Sequence, residues 1–177
     1  MKEIVDIKFA KVHPNAIIPS KRDEDMGFDI YACFDENYII IPPHETNLIP
    51  TGIASACDPN YGFLIFERGS TGSKGIARRC GVIDSGYRNE WFIGLTNTTD
   101  KMLFISKMSE KETYIDYYGE EEMDEMLPSF VYPYSKAIAQ ALIIPVLKTE
   151  VNEIPYDELM IIKSERGLGK LGSSSKW

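Results

Sequence analysis

Short runs of apolar residues alternate with turn-forming residues along most of the chain. The runs are rich in Ile, Phe, Tyr and Thr, and most are too short for a helix, so they predict β-strands. They cover residues 4–12, 28–34, 38–43, 46–56, 62–67, 90–97, 101–107 and 138–147. Many short strands at this spacing are typical of an all-β sandwich or barrel and not of a parallel α/β sheet.

Helix is indicated at only two places, residues 120–127 and residues 155–162. Because no internal repeat or interdomain linker interrupts the strand pattern, we expect one all-β domain, a sandwich or a barrel, over residues 1–163. An acidic insertion occupies about residues 98–133 of that domain. The remaining residues, 164–177, are rich in Gly and Ser and predict a flexible tail.

The composition limits the chemistry that the chain can perform. The 177 residues include no apolar run of about 20, the length that spans a membrane, and the first residues do not resemble a signal peptide, so a cytoplasmic protein is expected. Three separated cysteines argue against a disulfide framework and a zinc site, and two histidines argue against a Ser-His-Asp triad. The chemistry is therefore expected from carboxylates, hydroxyls, backbone groups and Lys or Arg.

The net charge of −8 is unevenly distributed. Residues 109–125 contain eight acids and one lysine, a net −7, whereas residues 67–79 carry four cations against one acid and residues 165–176 carry three against one. The acidic average counts against nucleic-acid binding. The two basic segments are where an anion is expected to bind.

The first basic segment, ERGSTGSKGI at 67–76, predicts a phosphate-binding loop. Its glycines are at positions 69, 72 and 75. Glycine permits positive φ angles, and successive N–H groups can then surround a phosphate, with Arg68 adding a bidentate fork and Ser70 a hydroxyl. The spacing is not that of a P-loop. A glycine-rich turn with solvated charges is the alternative.

Asp84 lies in CGVIDSGYRNEW (80–91), between apolar residues and the turn pair Ser85-Gly86. We expect it at the end of a strand where a hairpin reverses, partly buried and facing a cleft, which suits a general base for water. Tyr87 can stack against a flat ring. The alternative is an acid that only stabilises the turn.

Two further polar residues interrupt apolar runs. Asp29 in MGFDIYA (26–32) needs a partner or a metal-bound water, and Gln140 in KAIAQALIIP (136–145) needs several hydrogen bonds. A carboxylate satisfied by backbone N–H groups and a structural amide are the alternatives. Arg166 and the following glycines and serines repeat the phosphate chemistry in the tail, where a disordered terminus is the alternative.

Taken in order, these segments resemble the five motifs of the trimeric dUTPase family. GFDIYA, RGS with SKGI, GVIDSGYRNEW, IAQALIIP and RGLGKLGSS look like motifs one to five. The order and spacing are more specific than any single motif, and the stretch Gly-Val-Ile-Asp followed by Tyr-Arg is the most specific part. The insertion between motifs three and four is similar to those of dUTPases from Gram-positive bacteria and their phages.

The resemblance implies a jelly-roll-like β-barrel that assembles into homotrimers, each active site being built from three subunits. It also implies magnesium-dependent hydrolysis of dUTP to dUMP and pyrophosphate, which keeps uracil out of DNA and supplies dUMP for thymidylate synthesis. By similarity, Asp84 would align a water for in-line attack on the α-phosphate, and Asp29 would hold waters of the Mg²⁺ ion.

The family's substrate contacts also transfer to positions of this chain. The phosphate contacts would be Arg68, Gly69, Ser70 and Gln140. Val82 and Ile83 would form the pocket for uracil and deoxyribose, with Tyr87 packed under the sugar. The tail would close over the triphosphate with Arg166, Leu171, Gly172, Ser173 and Ser174.

Four positions depart from the family pattern. Motif two reads Arg68-Gly69-Ser70 in place of Arg-Ser-Gly, and motif four is preceded by Ser135-Lys136-Ala137 in place of Gly-Asp-Arg. Asn89 replaces a usual glycine, and Leu171 replaces the aromatic residue that stacks on uracil. Leucine lacks the aromatic stacking energy of about 0.5–1.5 kcal/mol, so we expect a weaker lid.

Two other functions remain open from the sequence. A dCTP deaminase or bifunctional relative shares the fold, with Glu90 as the nearby candidate for its catalytic acid. A nucleotide-sensing interaction protein would use the acidic segment 109–125 as the docking surface for a basic protein regulator. A solvated loop or short helix on the surface is the simpler interpretation of that segment.

Overall fold

The computed structural model describes residues 4–122, 126–165 and 167, and the chain divides into two compact units, residues 1–147 and 148–177. The strands of the first unit are β1 (Ile7–Lys11), β2 (Phe28–Ile30), β3 (Tyr38–Ile41), β4 (Thr46–Pro50), β5 (Ile53–Cys57), β6 (Tyr61–Phe66), β7 (Ile76–Arg79), β8 (Val82–Ile83), β9 (Phe92–Asn97), β10 (Met102–Ser106), β11 (Ser129–Pro133) and β12 (Ala139–Pro145). Its helices are α1 (Gly69–Gly72) and α2 (Glu110–Tyr118).

The strands form four small sheets. Their strand orders are β1-β5, β11-β10-β3, β2-β12-β6-β8 and β4-β9-β7. Every pairing is antiparallel except that of β10 with β11. The all-β prediction is therefore confirmed, and each predicted apolar run contains a strand. The alternation did not reveal β7 and β11.

A core of mainly Ile and aromatic side chains holds the sheets together. Trp91 is fully buried, and the rings of Phe9 and Phe63 meet it edge-on at centroid distances of 5.6 and 5.0 Å. Edge-on aromatic pairs stabilise a core beyond the area that they bury. This core fixes the strands that carry the polar residues described below.

The acidic insertion forms a β10–α2–β11 crossover. Ser109 caps α2: its hydroxyl accepts a hydrogen bond from Glu112 N, and the Glu112 carboxylate accepts one from Ser109 N. Gly119, with φ of 89°, ends the helix. The helix predicted at 120–127 is wrong at its described residues, 120–122, 126 and 127, which are not helical, because this capping box starts the helix ten residues earlier.

The helix of the insertion packs on its own hydrophobic cluster. Buried Met102, Phe104 and Tyr114 form the cluster, and the rings of Phe104 and Tyr114 meet at 5.9 Å. A buried hydrogen bond of 2.8 Å between Ser106 Oγ and Thr113 Oγ1 ties α2 to β10. The described part of the insertion therefore contains a short helix packed on the first unit, one of the two forms that the simpler interpretation of the acidic segment allowed.

The second unit contains the helix α3 (Tyr156–Ile161), which confirms the helix predicted at 155–162. The predicted boundary between barrel and tail at residue 163 stays a prediction. Within the described ranges, no helix has the length and apolar character needed to cross a membrane.

Candidate active site

A polar cleft of about 830 Å³ lies at one end of the four-stranded sheet. Asp29 on β2 is the register partner of Gln140 on β12, and Gln140 is also opposite Phe66, the last residue of β6. Arg68 follows two residues later. Three segments that are distant in sequence therefore meet because their strands are neighbours. The cleft is lined by Ser20, Lys21, Arg22, Glu24, Asp25, Met26, Gly27, Asp29, Arg68, Gly69, Ser70 and Gln140.

Asp29 and Arg68 form a two-point ion pair across this cleft. Arg68 Nε lies 2.9 Å from Asp29 Oδ1, and Arg68 Nη2 donates to Asp29 Oδ2 at 3.2 Å. Both side chains are about one-third exposed, at 30% and 34%. The partner of the strand carboxylate is thus a guanidinium in the bidentate geometry that also recognises phosphates.

The glycine-rich segment folds differently from the prediction. Gly69–Gly72 form the short helix α1, in which Arg68 N donates to Thr71 Oγ1 and Thr71 Oγ1 donates to Arg68 O, each at 3.0 Å. Gly69 and Gly72 do not adopt the positive φ that glycine permits, because they lie in a helical turn that the Thr71 hydroxyl stabilises. Gly75 alone of the three has the expected positive φ, 75°.

Gln140 is held by a main-chain hydrogen bond. Its Nε2 donates to Glu67 O at 2.8 Å, and a Cβ added to Gly27 would lie 2.8 Å from its Oε1. A side chain at position 27 would therefore displace the Gln140 amide from its present position. Next to it, backbone N–H groups of Glu67 itself and of Arg78 hold the pKa of the Glu67 carboxyl below its usual range.

The segment around Asp84 lies at a different, smaller cleft of about 110 Å³. Val82 and Ile83 form β8, paired with Leu64 and Phe63 of β6, and Asp84 follows directly. That position at a strand end is as predicted. The hairpin and the partial burial are wrong: Asp84 is exposed in the single chain, and the next strand, β9, belongs to another sheet.

Tyr87 and Glu90 are engaged in the turn that follows Asp84. Tyr87 N donates to Asp84 O at 3.0 Å, and Tyr87 Oη donates to Glu90 O at 3.1 Å. The Glu90 carboxylate accepts a hydrogen bond of 2.7 Å from Gly52 N. Because Glu90 anchors a neighbouring strand connection, it is poorly placed to act as the catalytic acid of a deaminase.

The predicted site residues therefore fall into four groups. The large cleft brings together Asp29, Arg68, Gly69, Ser70 and Gln140. Val82, Ile83 and Asp84 line the small cleft, and Tyr87 lines neither. Arg166, Leu171, Gly172, Ser173 and Ser174 lie outside the described residues.

The structure adds a segment to the large cleft that the motifs did not indicate. Residues 20–22 and 24–27 line it ahead of Asp29 and bring Lys21 and the pair Arg22–Asp25 to its wall. The charged run Lys-Arg-Asp-Glu-Asp at 21–25 was the only signal in the sequence. It precedes the first motif without belonging to it.

Another polar chain joins Cys33, His13 and Asp35. Cys33 Sγ lies 3.2 Å from His13 Nδ1, and His13 Nε2 lies 3.2 Å from Asp35 Oδ1. The order resembles a nucleophile–base–acid relay, but Cys33 is only 3% exposed and burial raises the pKa of its thiol. A thiol that is kept protonated and away from solvent is a structural group and not a nucleophile.

Comparison with known proteins agrees with the geometry. A family model described as dUTPase matches residues 13–109, more than half of the chain. The chain belongs to the dUTPase family. The match includes the segments of Asp29, Arg68 and Asp84, and it confirms the family predicted from the five motifs.

Curated relatives extend the match toward both ends of the chain. A deoxyuridine 5′-triphosphate nucleotidohydrolase of Paraburkholderia xenovorans is 32% identical over 154 residues, covering 85% of this chain and 82% of the relative. One of Nautilia profundicola is 30% identical over 174 residues, covering 96% of this chain and 99% of the relative.

Solved structures show the same fold. A dUTPase of Staphylococcus bacteriophage 80alpha with dUPNHPP has a TM-score of 0.69 at 22% identity, covering 95% of this chain and 97% of its own. A dUTPase of phage phi11 of S. aureus has a TM-score of 0.63 at 18% identity, with 84% and 96% covered. The jelly-roll-like dUTPase fold is therefore confirmed.

Proposed function

We propose that this chain is a dUTP diphosphatase that hydrolyses dUTP to dUMP and pyrophosphate. The observation that carries the proposal is the large cleft, where Asp29, Arg68 and Gln140 of three separate family motifs meet. Its walls offer charged groups and amide and hydroxyl donors, and few apolar surfaces. Phosphoryl transfer requires this kind of positioning and charge neutralisation.

Arg68 is the first phosphate ligand in this proposal. Its guanidinium pairs with Asp29 in the chain alone, and a triphosphate offers the same fork a stronger anionic partner. Ser70 and Gln140 add neutral donors beside it. The Gln140 Nε2 group already donates to Glu67 O, so one further N–H of that amide is available to substrate.

Asp29 is the residue that would hold Mg²⁺, through bound water. The donor set fits this ion, because Mg²⁺ is usually held by one or two carboxylates together with waters and substrate phosphates. Among the described residues no group of three or more His, Cys, Asp or Glu forms a dedicated metal cage. When bound, the ion would neutralise charge on the phosphate oxygens.

Asp84 is the proposed general base. Its carboxylate follows β8 directly and is open to solvent, so a water can occupy the space beside it. Val82 and Ile83 precede it and would contact the nucleoside, and Tyr87 would pack under the sugar. Val82 is 69% exposed in the single chain, which leaves an apolar surface for substrate or a neighbouring subunit to cover.

A homotrimer brings the two clefts into one site. Within the chain, Asp84 lines the small cleft and Arg68 the large one, so neither cleft alone contains both the base and the phosphate ligands. A neighbouring copy that presents its β8 end to the large cleft would complete the site. The tail, residues 164–177, would close over the triphosphate. Its contacts would come from Arg166, Leu171, Gly172, Ser173 and Ser174.

The remaining predictions concern partners and location. A protein regulator at residues 109–125 and a cytoplasmic location stay predictions. The deaminase alternative is weakened because the Glu90 carboxylate binds Gly52 N. Uracil would be selected by backbone groups around Val82 that match its edge and leave cytosine unpaired.

One assay tests the proposal against both alternatives. The purified chain is incubated with Mg²⁺ and dUTP, dCTP, dTTP or UTP, and pyrophosphate and ammonia are measured. We expect pyrophosphate from dUTP alone. Ammonia from dCTP would replace the proposal with deamination, and dUTP binding without turnover would replace it with nucleotide sensing.

A further inference from the structure

Among the described residues, three cations line the large cleft, and two of them form ion pairs. Arg68 pairs with Asp29, and Arg22 pairs with Asp25, with Nε 2.9 Å from Oδ2 and Nη2 2.9 Å from Oδ1. Lys21 is the third. Within the described ranges, no carboxylate oxygen lies within 4.0 Å of Lys21 Nζ.

Main-chain oxygens and an aromatic ring hold the Lys21 ammonium instead. Its Nζ donates to Asp25 O at 2.8 Å and to Arg22 O at 3.3 Å, and it lies 5.7 Å from the centroid of the Phe28 ring. These are polar or π-electron contacts and not ion pairs, and the Asp25 carboxylate, which is paired with Arg22, attracts the Lys21 charge only through space. An ammonium has three donors, so one N–H can still point to a ligand.

The loop that carries Lys21 fixes its position. Asp25 N donates to Arg22 O at 3.1 Å, and Arg22 N donates to Asp25 Oδ2 at 3.2 Å, so residues 22–25 form a closed turn. The turn is joined to β2, where Phe28 directly precedes Asp29. The ammonium is therefore held in place before any ligand binds, which lowers the entropy cost of using it.

We propose that Lys21 is a phosphate-positioning residue of this site, binding the polyphosphate part of the nucleotide together with Arg68, which lines the same cleft. The inference rests on the proposed function and deepens it. It comes from the charge pattern of the cleft, where Lys21 is, among the described residues, the cation that forms no direct ion pair. Glu24, which also lines the cleft, would repel a bound polyphosphate. Its removal therefore provides a second test, in which the affinity for polyphosphate is not expected to fall.

The test compares the full-length chain with Lys21→Met by calorimetry in Mg²⁺. Three probes are used: α,β-imido-dUTP, dUMP, and tripolyphosphate, which has no base. We expect the affinity for the imido analogue and for tripolyphosphate to fall about ten-fold, the effect of one lost charge-assisted hydrogen bond, while dUMP loses much less. Raising the salt concentration should reduce the difference between the two proteins.

Control variants separate charge from structure. Lys21→Arg keeps the charge, so its affinities for the three probes should stay close to those of the unchanged protein. Lys11→Met removes an exposed lysine of β1, outside the cleft, and should change none of the three affinities. Glu24→Gln should leave the tripolyphosphate affinity the same or raise it.

The possible failures are distinguishable. An unchanged tripolyphosphate affinity in Lys21→Met, or an equal loss for dUMP and the imido analogue, would overturn the role of Lys21. If the unchanged protein binds tripolyphosphate and not the imido analogue, the proposed function fails while the Lys21 comparison still decides this inference. If it binds neither, both are overturned.

Discussion

The two clefts that carry the family motifs differ in how complete they are within one chain. The large cleft is built by adjacent strands, and its ion pair, Asp29 with Arg68, is formed before any ligand is present. The small cleft ends in Asp84, which is exposed, beside Val82, which is 69% exposed. The ion pair of the large cleft is complete within the chain, whereas the residues at the end of the small cleft are exposed.

The difference predicts that substrate binding and catalysis depend on different clefts. The proposed phosphate ligands can be organised by a single chain because the pairing of β2, β12 and β6 brings them together. The proposed base and its apolar neighbours need a second surface, from substrate or another subunit, to exclude water and complete the site. Substitutions in the two clefts are therefore expected to affect different quantities.

The largest effect is expected at the outward-facing cleft. Asp84→Asn keeps the size and turn of the side chain but removes its basicity, so kcat should fall by about 100-fold or more while dUTP affinity is kept. Steady-state pyrophosphate release and calorimetry measure the two quantities. Asp58→Asn, at another exposed turn acid, should leave kcat unchanged. An active Asp84→Asn enzyme would remove Asp84 as the base.

A smaller loss, mainly in binding, is expected at the large cleft. Arg68→Ala removes the guanidinium and leaves Asp29 unpaired, so kcat/KM for dUTP should fall about 10- to 100-fold. Arg68→Lys keeps the charge without the bidentate fork, so its kcat/KM should lie between those of Arg68→Ala and the unchanged protein. Equal kinetics for Arg68→Ala and the unchanged protein would contradict the assignment of this cleft to phosphates.

A still smaller effect is expected at the contact between the insertion and the large cleft. It should concern only the stability of the fold. Tyr132 of β11 is buried, and its hydroxyl donates to Ala137 O at 2.7 Å and lies 3.5 Å from Ser70 Oγ. Tyr132→Phe should reduce the free energy of unfolding in urea by about 1 kcal/mol. Tyr117→Phe, at a 42% exposed position of α2, should change it much less. Equal effects would mean that the Tyr132 hydroxyl gives no support.

The mildest prediction uses the cysteines as reporters of exposure. Burial raises the pKa of the Cys33 and Cys57 thiols, whereas Cys80, between the two motif segments, is exposed. Near neutral pH, Cys80 should be alkylated first and Cys33 last, and raising the pH should increase the rates at Cys33 and Cys57. Mass spectrometry of labelled peptides measures the order. Early labelling of Cys33 would contradict its burial.

Strand positions and motif residues could be predicted because their signals are local. An apolar run indicates a strand whichever strand it pairs with. Asp29, Arg68 and Gln140 stand out as polar residues in apolar or glycine-rich surroundings. Their meeting in one cleft depends on the order β2-β12-β6, which no local pattern contains. Only the family resemblance indicated that they belong to one site.

The errors came from contacts that local patterns do not express. The Thr71 hydroxyl turned an expected loop of positive φ angles into a helical turn. The capping box of Ser109 and Glu112 was readable in the sequence, but the dense acids at 120–125 favoured a later helix. Lys21 belonged to no motif, and its importance follows only from the ion pairs of its neighbours.

The central claim, that the two clefts of different chains form one active site, is tested most directly by mixing two inactive variants. Asp84→Asn and Arg68→Ala chains are unfolded together, refolded at equal concentrations, and assayed for pyrophosphate release from dUTP. Random trimers should restore both intact groups at about one quarter of the sites, so activity should rise far above that of either variant alone. Activity no higher than the average of the two separate variants would show that each site is built within a single chain.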